Sequence, residues 1–187
     1  HLLRYLVGPV LGRPTPAPEP PRAYPSAGFY HPRAPGLFTS LEAYATWAAE
    51  AVPDDRRVTP RVTVGVTVSM ASYLQKNLAH VDAIIAAIER RGHHAIPLAY
   101  RGAPDASLFM RDGTPRVDVI IQKGSVFAGK DRLGALERLQ ALDVPVLSAF
   151  HHHARSEAEY VASPTGLLPT LGSAVVEAER DARVEPM

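Results

Sequence analysis

From Arg61 onward, short apolar runs alternate with longer amphipathic ones. Residues 62–68 read V-T-V-G-V-T-V, the β-branched texture of a strand buried in a parallel sheet. Residues 77–91 carry Val81, Ile84, Ile85 and Ile88 at helical spacing and stop at Gly92, a natural residue to follow a helix end. Residues 95–99 form a second predicted strand, in which Pro97 favours an edge or a strand end. A third strand is expected over 117–121 and a fourth over 144–147. Between them lies a helix over 131–142 with Leu133, Leu136, Leu139 and Leu142 on one face. Ser156-Glu157-Ala158-Glu159 opens a further short helix. Strand–helix–strand units in this order predict an α/β fold: an open, mostly parallel sheet built from right-handed βαβ connections.

Upstream of Arg61 the texture differs. Nine of the 18 prolines fall between Pro9 and Pro35. Each fixes φ and removes an N–H, so this stretch is expected as an extended linker or a surface wrap. Leu2-Leu3-Arg4-Tyr5-Leu6 before it reads as the tail of a helix. After it, Thr39-Ser40-Leu41-Glu42 has capping-box spacing, and Leu41, Tyr44, Ala45 and Ala48 predict a short helix over about 40–51. Asp54-Asp55-Arg56-Arg57 is a charged turn. Three parts result: a helix tail and proline-rich linker over 1–38, a short helix and charged turn over 39–60, and an α/β unit over 61–187.

Composition narrows the function classes. Lys+Arg total 20 against 19 Asp+Glu, with no basic stripe, which speaks against a nucleic-acid binder. No apolar run is long enough to span a membrane. Cysteine is absent, which removes thiolate metal sites, iron–sulfur clusters and Cys nucleophiles together. The chain opens on His1 without signal-peptide architecture, and is expected to be a cytoplasmic piece of something longer.

In an open α/β sheet, ligands bind beyond the carboxyl ends of the strands. Four loops qualify here: 69–77, 100–105, 122–129 and 150–155. They carry Lys76, Asn77, His80 just beyond the first, Lys123, Lys130 and the run His151-His152-His153. Basic side chains and helix N-termini on one edge suit an anion. The plainer reading is that such loops are polar in any fold of this class. Imidazoles are common metal ligands, but three adjacent ones diverge. A metal site here would take one or two of His151, His152 and His153 with distant carboxylates such as Glu179 or Asp181. The competing reading is a solvated His-rich loop. The segment from Gly124 to Asp131 (G-S-V-F-A-G-K-D) nearly matches the phosphate-binding G-x-x-x-x-G-K-[ST] loop. Asp131, however, replaces the Mg²⁺-ligating hydroxyl with a carboxylate. From residue chemistry alone the chain is an α/β sheet with a polar carboxyl edge, without an assigned reaction.

Three stretches carry a resemblance. Gly28-Phe29-Tyr30-His31-Pro32-Arg33-Ala34-Pro35-Gly36-Leu37-Phe38, with Leu41-Glu42-Ala43-Tyr44 and Trp47, is the first. The second comprises Val64-Gly65, Asn77-Leu78-Ala79-His80-Val81-Asp82-Ala83-Ile84-Ile85, Glu89, Gly92 and Ile96-Pro97. The third comprises Leu142-Asp143-Val144-Pro145-Val146-Leu147, Ser163, Gly166-Leu167, Pro169, Glu179, Asp181, Arg183 and Glu185-Pro186. In this order they resemble the large subunit of the metal chelatases: cobaltochelatase of cobalamin synthesis and its magnesium chelatase counterpart. Tyr30-His31-Pro32 and Asn77-x-x-His80-Val81-Asp82 are more similar to the cobalt forms.

The resemblance implies ATP-dependent insertion of a divalent metal into a tetrapyrrole, here cobalt into hydrogenobyrinic acid a,c-diamide, with magnesium as the other metal of the family. It implies AAA+ partner subunits that hydrolyse the ATP, while the large subunit binds ring and metal. Metallation needs a base for the two pyrrole N–H protons and ligands for a desolvated cation. The matching positions are His31, His80, Glu179 and Asp181, with Asn77, Lys76, Lys123 and Gly124 toward the substrate. The family commonly has Arg at Met70, Gly at Lys76, Gly at Ala182 and a T-T-G-type turn near residues 122–125. These departures open an alternative, a diverged, non-catalytic chelatase-like module that binds a tetrapyrrole or metal. The isolated chain is expected to be inactive.

Overall fold

The computed structural model describes residues 6–12, 23–52, 61–102, 106–123, 134, 137, 140–149 and 156–165. In chain order the elements are β1 (Ala27–Phe29), α1 (Leu41–Ala51), β2 (Thr63–Ser69), α2 (Met70–Leu74), α3 (Ala79–Arg90) and β3 (His94–Tyr100). A 3₁₀ turn (Ala106–Phe109) follows, then β4 (Met110–Arg111), β5 (Thr114–Pro115), β6 (Val119–Gln122), β7 (Val146–Ser148) and α4 (Glu157–Val161). Residues 134, 137 and 140–142 are also helical.

Five strands form one sheet in the order β1-β3-β2-β6-β7, and every pairing except β1–β3 is parallel. From β2 the chain crosses through α3 to β3 on one side; β6 lies on the other side of β2, with β7 beyond it. Right-handed crossovers moving in opposite directions place their helices on opposite faces. The packing agrees. Val64, Val66 and Val68 meet Val81, Ile85 and Ile88 of α3 in one apolar layer. Leu98, Ile120 and Phe109 meet Leu41 and Tyr44 of α1 and Leu142 in the other. Val81 and Ile85 are fully buried, a contribution of about 2 kcal/mol each. The strand order therefore reverses at β2, and the carboxyl ends of β2 and β6 flank the switch point.

Gly65 faces the second layer. A Cβ there would stand 3.2 Å from Ile120 Cγ1 and 3.2 Å from Phe109 Cε1 and Cζ.

Several local expectations shift. Ala27–Phe29, inside the stretch read as linker or wrap, is an edge strand, and Phe29 and Phe38 exchange backbone hydrogen bonds of 2.8 and 3.0 Å along its outer side. Pro97 lies inside β3, flanked by β1 and β2, and not at an edge. It is tolerated because Tyr30 N donates to Pro97 O at 2.9 Å, Pro97 returns no bond, and β1 has ended at Phe29. The N-cap of α1 is Ser40, which accepts from Ala43 N at 3.2 Å, one residue later than the capping-box spacing suggested. The Ser156–Glu159 capping box forms as expected.

Candidate functional site at the carboxyl edge

β2 ends at Ser69, whose side chain accepts from Ala71 N to start α2. Lys76 then turns the chain with φ at +56°, Asn77 N donates to Ser72 O, and α3 begins at Ala79. The helix was expected from residue 77; the left-handed Lys76 and the Asn77 bond delay it. Leu78 stands at the N-cap and supplies no side-chain hydrogen bond. Lys76 and Asn77 are exposed, and His80 is half-buried.

Across the switch point, Lys123 follows the last residue of β6. Its N–H donates to Thr67 Oγ1 of β2 at 3.1 Å, which locks the two strand ends together. The side chain is buried, and burial pushes its pKa down to about 8. His80 is also held below its ordinary range, first by burial and then by the positive charge of Lys123, with Asp82 opposing. The shift favours the neutral imidazole. Gln122, beside Lys123, donates from Nε2 to Tyr100 Oη at 3.1 Å, and its Oε1 is buried without a partner among the described residues.

His31 is placed differently. Arg33 N donates to His31 Nδ1 at 3.2 Å, which puts the ring proton on Nε2; Nε2 then donates to Glu89 Oε1 at 2.8 Å. Glu89 Oε2 also holds Arg33 Nη2 at 3.0 Å. The ring is 1% exposed and lies 5.0 Å from the Trp47 ring. Burial holds its pKa below the ordinary value, against the pull of Glu89. Both ring nitrogens are engaged, so in this arrangement neither is open to a metal or a substrate proton. One residue earlier, Tyr30 Oη donates to Asp82 Oδ1 at 2.8 Å, and burial with that bond raises the Tyr30 pKa.

These contacts order the sequence-predicted residues along α3. His80 sits at its start, by the carboxyl edge. His31 is pinned at Glu89, about 13 Å further along the helix axis. The structure brings His80 and Lys123 together and keeps His31 apart from them. Gly124, His151, His152, His153, Glu179 and Asp181 lie outside the described residues. So do Lys130, Asp131 and Ala182. Among the described residues, no group of three His, Asp or Glu side chains is placed to hold a metal ion. Nor is any helix among them long and apolar enough to cross a membrane.

Sequence reasoning missed the partners: Glu89 for His31, Asp82 for Tyr30 and Thr67 for Lys123. The helical spacing of Asp82 and Glu89 on α3 was the available signal, since seven positions bring two residues to one face. A cleft of about 540 Å³ opens elsewhere, between α1 and the amino ends of β2 and β3. It is lined by Leu41, Tyr44, Ala48, Ile96, Arg111 and Arg116, among others, and holds none of the predicted site residues.

Comparisons with known proteins set this edge in context. The family model described as CobN/Magnesium Chelatase matches residues 1–187. The magnesium-chelatase H protein of Cereibacter sphaeroides is 30% identical over 160 residues, which cover 80% of this chain and 12% of that protein. The chloroplastic magnesium-chelatase protein ChlH of Oryza sativa is 26% identical over 184 residues, covering 90% of this chain and 13% of that protein. The solved catalytic subunit of cobaltochelatase from Mycobacterium tuberculosis shares the fold, with a TM-score of 0.62 at 24% identity over 98% of this chain and 15% of that one. The chain thus spans about an eighth of the length of the relatives it matches.

Proposed function

The chain belongs to the CobN/magnesium chelatase family, and we propose that it forms part of the large, tetrapyrrole-binding subunit of an ATP-dependent chelatase that inserts cobalt into hydrogenobyrinic acid a,c-diamide. The observation that carries this reading is the family match along the whole chain. Cobalt is chosen over magnesium on Tyr30-His31-Pro32 and Asn77-x-x-His80-Val81-Asp82, which resemble the cobalt forms. AAA+ partner subunits hydrolyse the ATP, in keeping with the Asp131 departure from a phosphate-binding loop. The complex works in the cytoplasm.

In this reading the carboxyl edge at the switch point faces the macrocycle, with Lys76, Asn77 and Lys123 along it, and Gly124 is the fourth residue proposed to meet the substrate. His80 is the base this edge offers: a neutral imidazole can accept a pyrrole proton or hand over a metal ion without first losing a proton of its own. Glu179 and Asp181 are the carboxylates proposed to complete the set, with His151, His152 or His153 as further metal ligands. His31 acts through Glu89 as a positioning residue, since its nitrogens are taken.

The test is insertion by the full-length protein with its ATPase partners, using Co²⁺ with hydrogenobyrinic acid a,c-diamide and Mg²⁺ with protoporphyrin IX. Cobalt insertion that requires ATP supports the reading, and magnesium insertion reassigns the metal. Binding of the ring without insertion favours the non-catalytic module. One observation speaks for that second reading. Met70, where the family commonly has Arg, is 1% exposed in the apolar layer beneath α3 and offers the substrate no charge.

A further inference from the structure

We propose that the ammonium of Lys123 and the first turn of α3 form a carboxylate-binding subsite, which anchors one acidic side chain of the macrocycle at the switch point. This rests on the tetrapyrrole reading above and names the group that the edge holds.

Lys123 is 7% exposed. Its backbone is held by Thr67, so the strand end is fixed without help from the side chain. Among the described residues, Nζ has no hydrogen bond or ion pair. With most of its side chain buried and no counter-charge among the described residues, this cation gains when an anion arrives to meet it. Val119 and Ile121 of β6 pack in the apolar layer beneath α3, so strand alternation puts Lys123 on that same face, beyond the strand end, where His80, the second residue of α3, feels its charge.

α3 is a 12-residue helix whose N-cap, Leu78, has no side-chain acceptor to offer. Its first N–H groups face the carboxyl edge with the positive end of the helix dipole. The one acid in the first turn, Asp82, accepts from Tyr30 Oη. Two positive features thus converge on one half-buried place. A carboxylate between them accepts a charge-assisted hydrogen bond from Lys123 and lies at the positive end of the α3 dipole. The exposed Lys76 lies on the near side of the same loop and adds long-range attraction.

The experiment uses the full-length protein and two probes with the same ring, deuteroporphyrin IX and its dimethyl ester, titrated by absorbance. The diacid is expected to bind about tenfold tighter than the diester, Lys123→Met to abolish the difference, and Lys123→Arg to retain it. A second readout needs no porphyrin: acetic anhydride labelling of Lys123, read on its peptide, slows with added propionate and not with chloride at equal ionic strength. Equal binding of diacid and diester by the unmodified protein, or a preference that survives Lys123→Met, overturns the subsite. Equal slowing by chloride does so too. Protection by propionate without binding of either porphyrin upholds the subsite and overturns the tetrapyrrole reading instead.

Discussion

His31 Nε2 donates to Glu89 Oε1 at 2.8 Å across 58 positions of sequence, and with it the loop after β1 is tied to the last turn of α3. Arg33 shares the same carboxylate, and Trp47 of α1 packs on the imidazole, so three separate segments meet at one buried ring. His31→Ala removes the bond and leaves a cavity, an expected loss of about 2–4 kcal/mol. Glu89→Gln keeps a neutral acceptor and loses about 1–2 kcal/mol. Urea denaturation of the 187-residue chain, followed by its single tryptophan, checks both.

The same ring makes stability pH-dependent. Burial depresses the folded pKa of His31 below its ordinary 6.5, so below that value the unfolded chain binds a proton that the folded chain resists. The stabilisation is complete above pH 6.5 and is lost as the pH falls toward the folded value. His31→Gln should flatten this dependence in acid denaturation. Part of the slope remains, because His80 is shifted in the same direction.

Lys123 works against the fold it sits in. A drop from the ordinary 10.5 to about 8 means that the buried ammonium costs up to about 3 kcal/mol at neutral pH, a penalty that fades as the pH rises from 8 to 10.5. Lys123→Met is therefore expected to raise the urea midpoint. It should also raise the His80 pKa, observed by NMR, but short of 6.5, because burial is the larger cause of that shift. A lower midpoint or an unmoved His80 would count against the ammonium lying where it is described.

Two positions in and after β2 give opposite expectations. Gly65→Ala places a methyl 3.2 Å from the buried Ile120 and Phe109, and overpacking there costs about 1–3 kcal/mol. Phe109→Leu in the same chain should recover part of the loss. Lys76 occupies a left-handed conformation at φ +56°, so Lys76→Gly is expected to stabilise by about 0.5–1 kcal/mol in the same urea titration.

Periodicity made the central elements legible. Residues 62–68 and the Val81–Ile88 spacing read directly as β2 and α3 because each buries a continuous apolar stripe against the other. The edge strand was hidden, since Ala27-Gly28-Phe29 is too short for a period and stands among prolines. The β4–β5 hairpin was announced only by Asp112-Gly113, whose φ values of +52° and +73° are those of a two-residue type I′ turn. For the site, sequence placed Lys123 and His80 after strands in an α/β sheet, and the switch point brings such loops together. It gave no sign that His31 and His80 stand at opposite ends of one helix. That follows from β1 running antiparallel to β3, a direction no local pattern encodes.

In the proposed function the carboxyl edge of β2 and β6 faces the tetrapyrrole. Hydrogen–deuterium exchange of the full-length protein, with and without hydrogenobyrinic acid a,c-diamide, reads this directly. Protection of the peptides covering Ser69–Val81 and Ile121–Lys123 is the predicted result. Protection absent there, or confined to the cleft between α1 and the amino ends of β2 and β3, would contradict it.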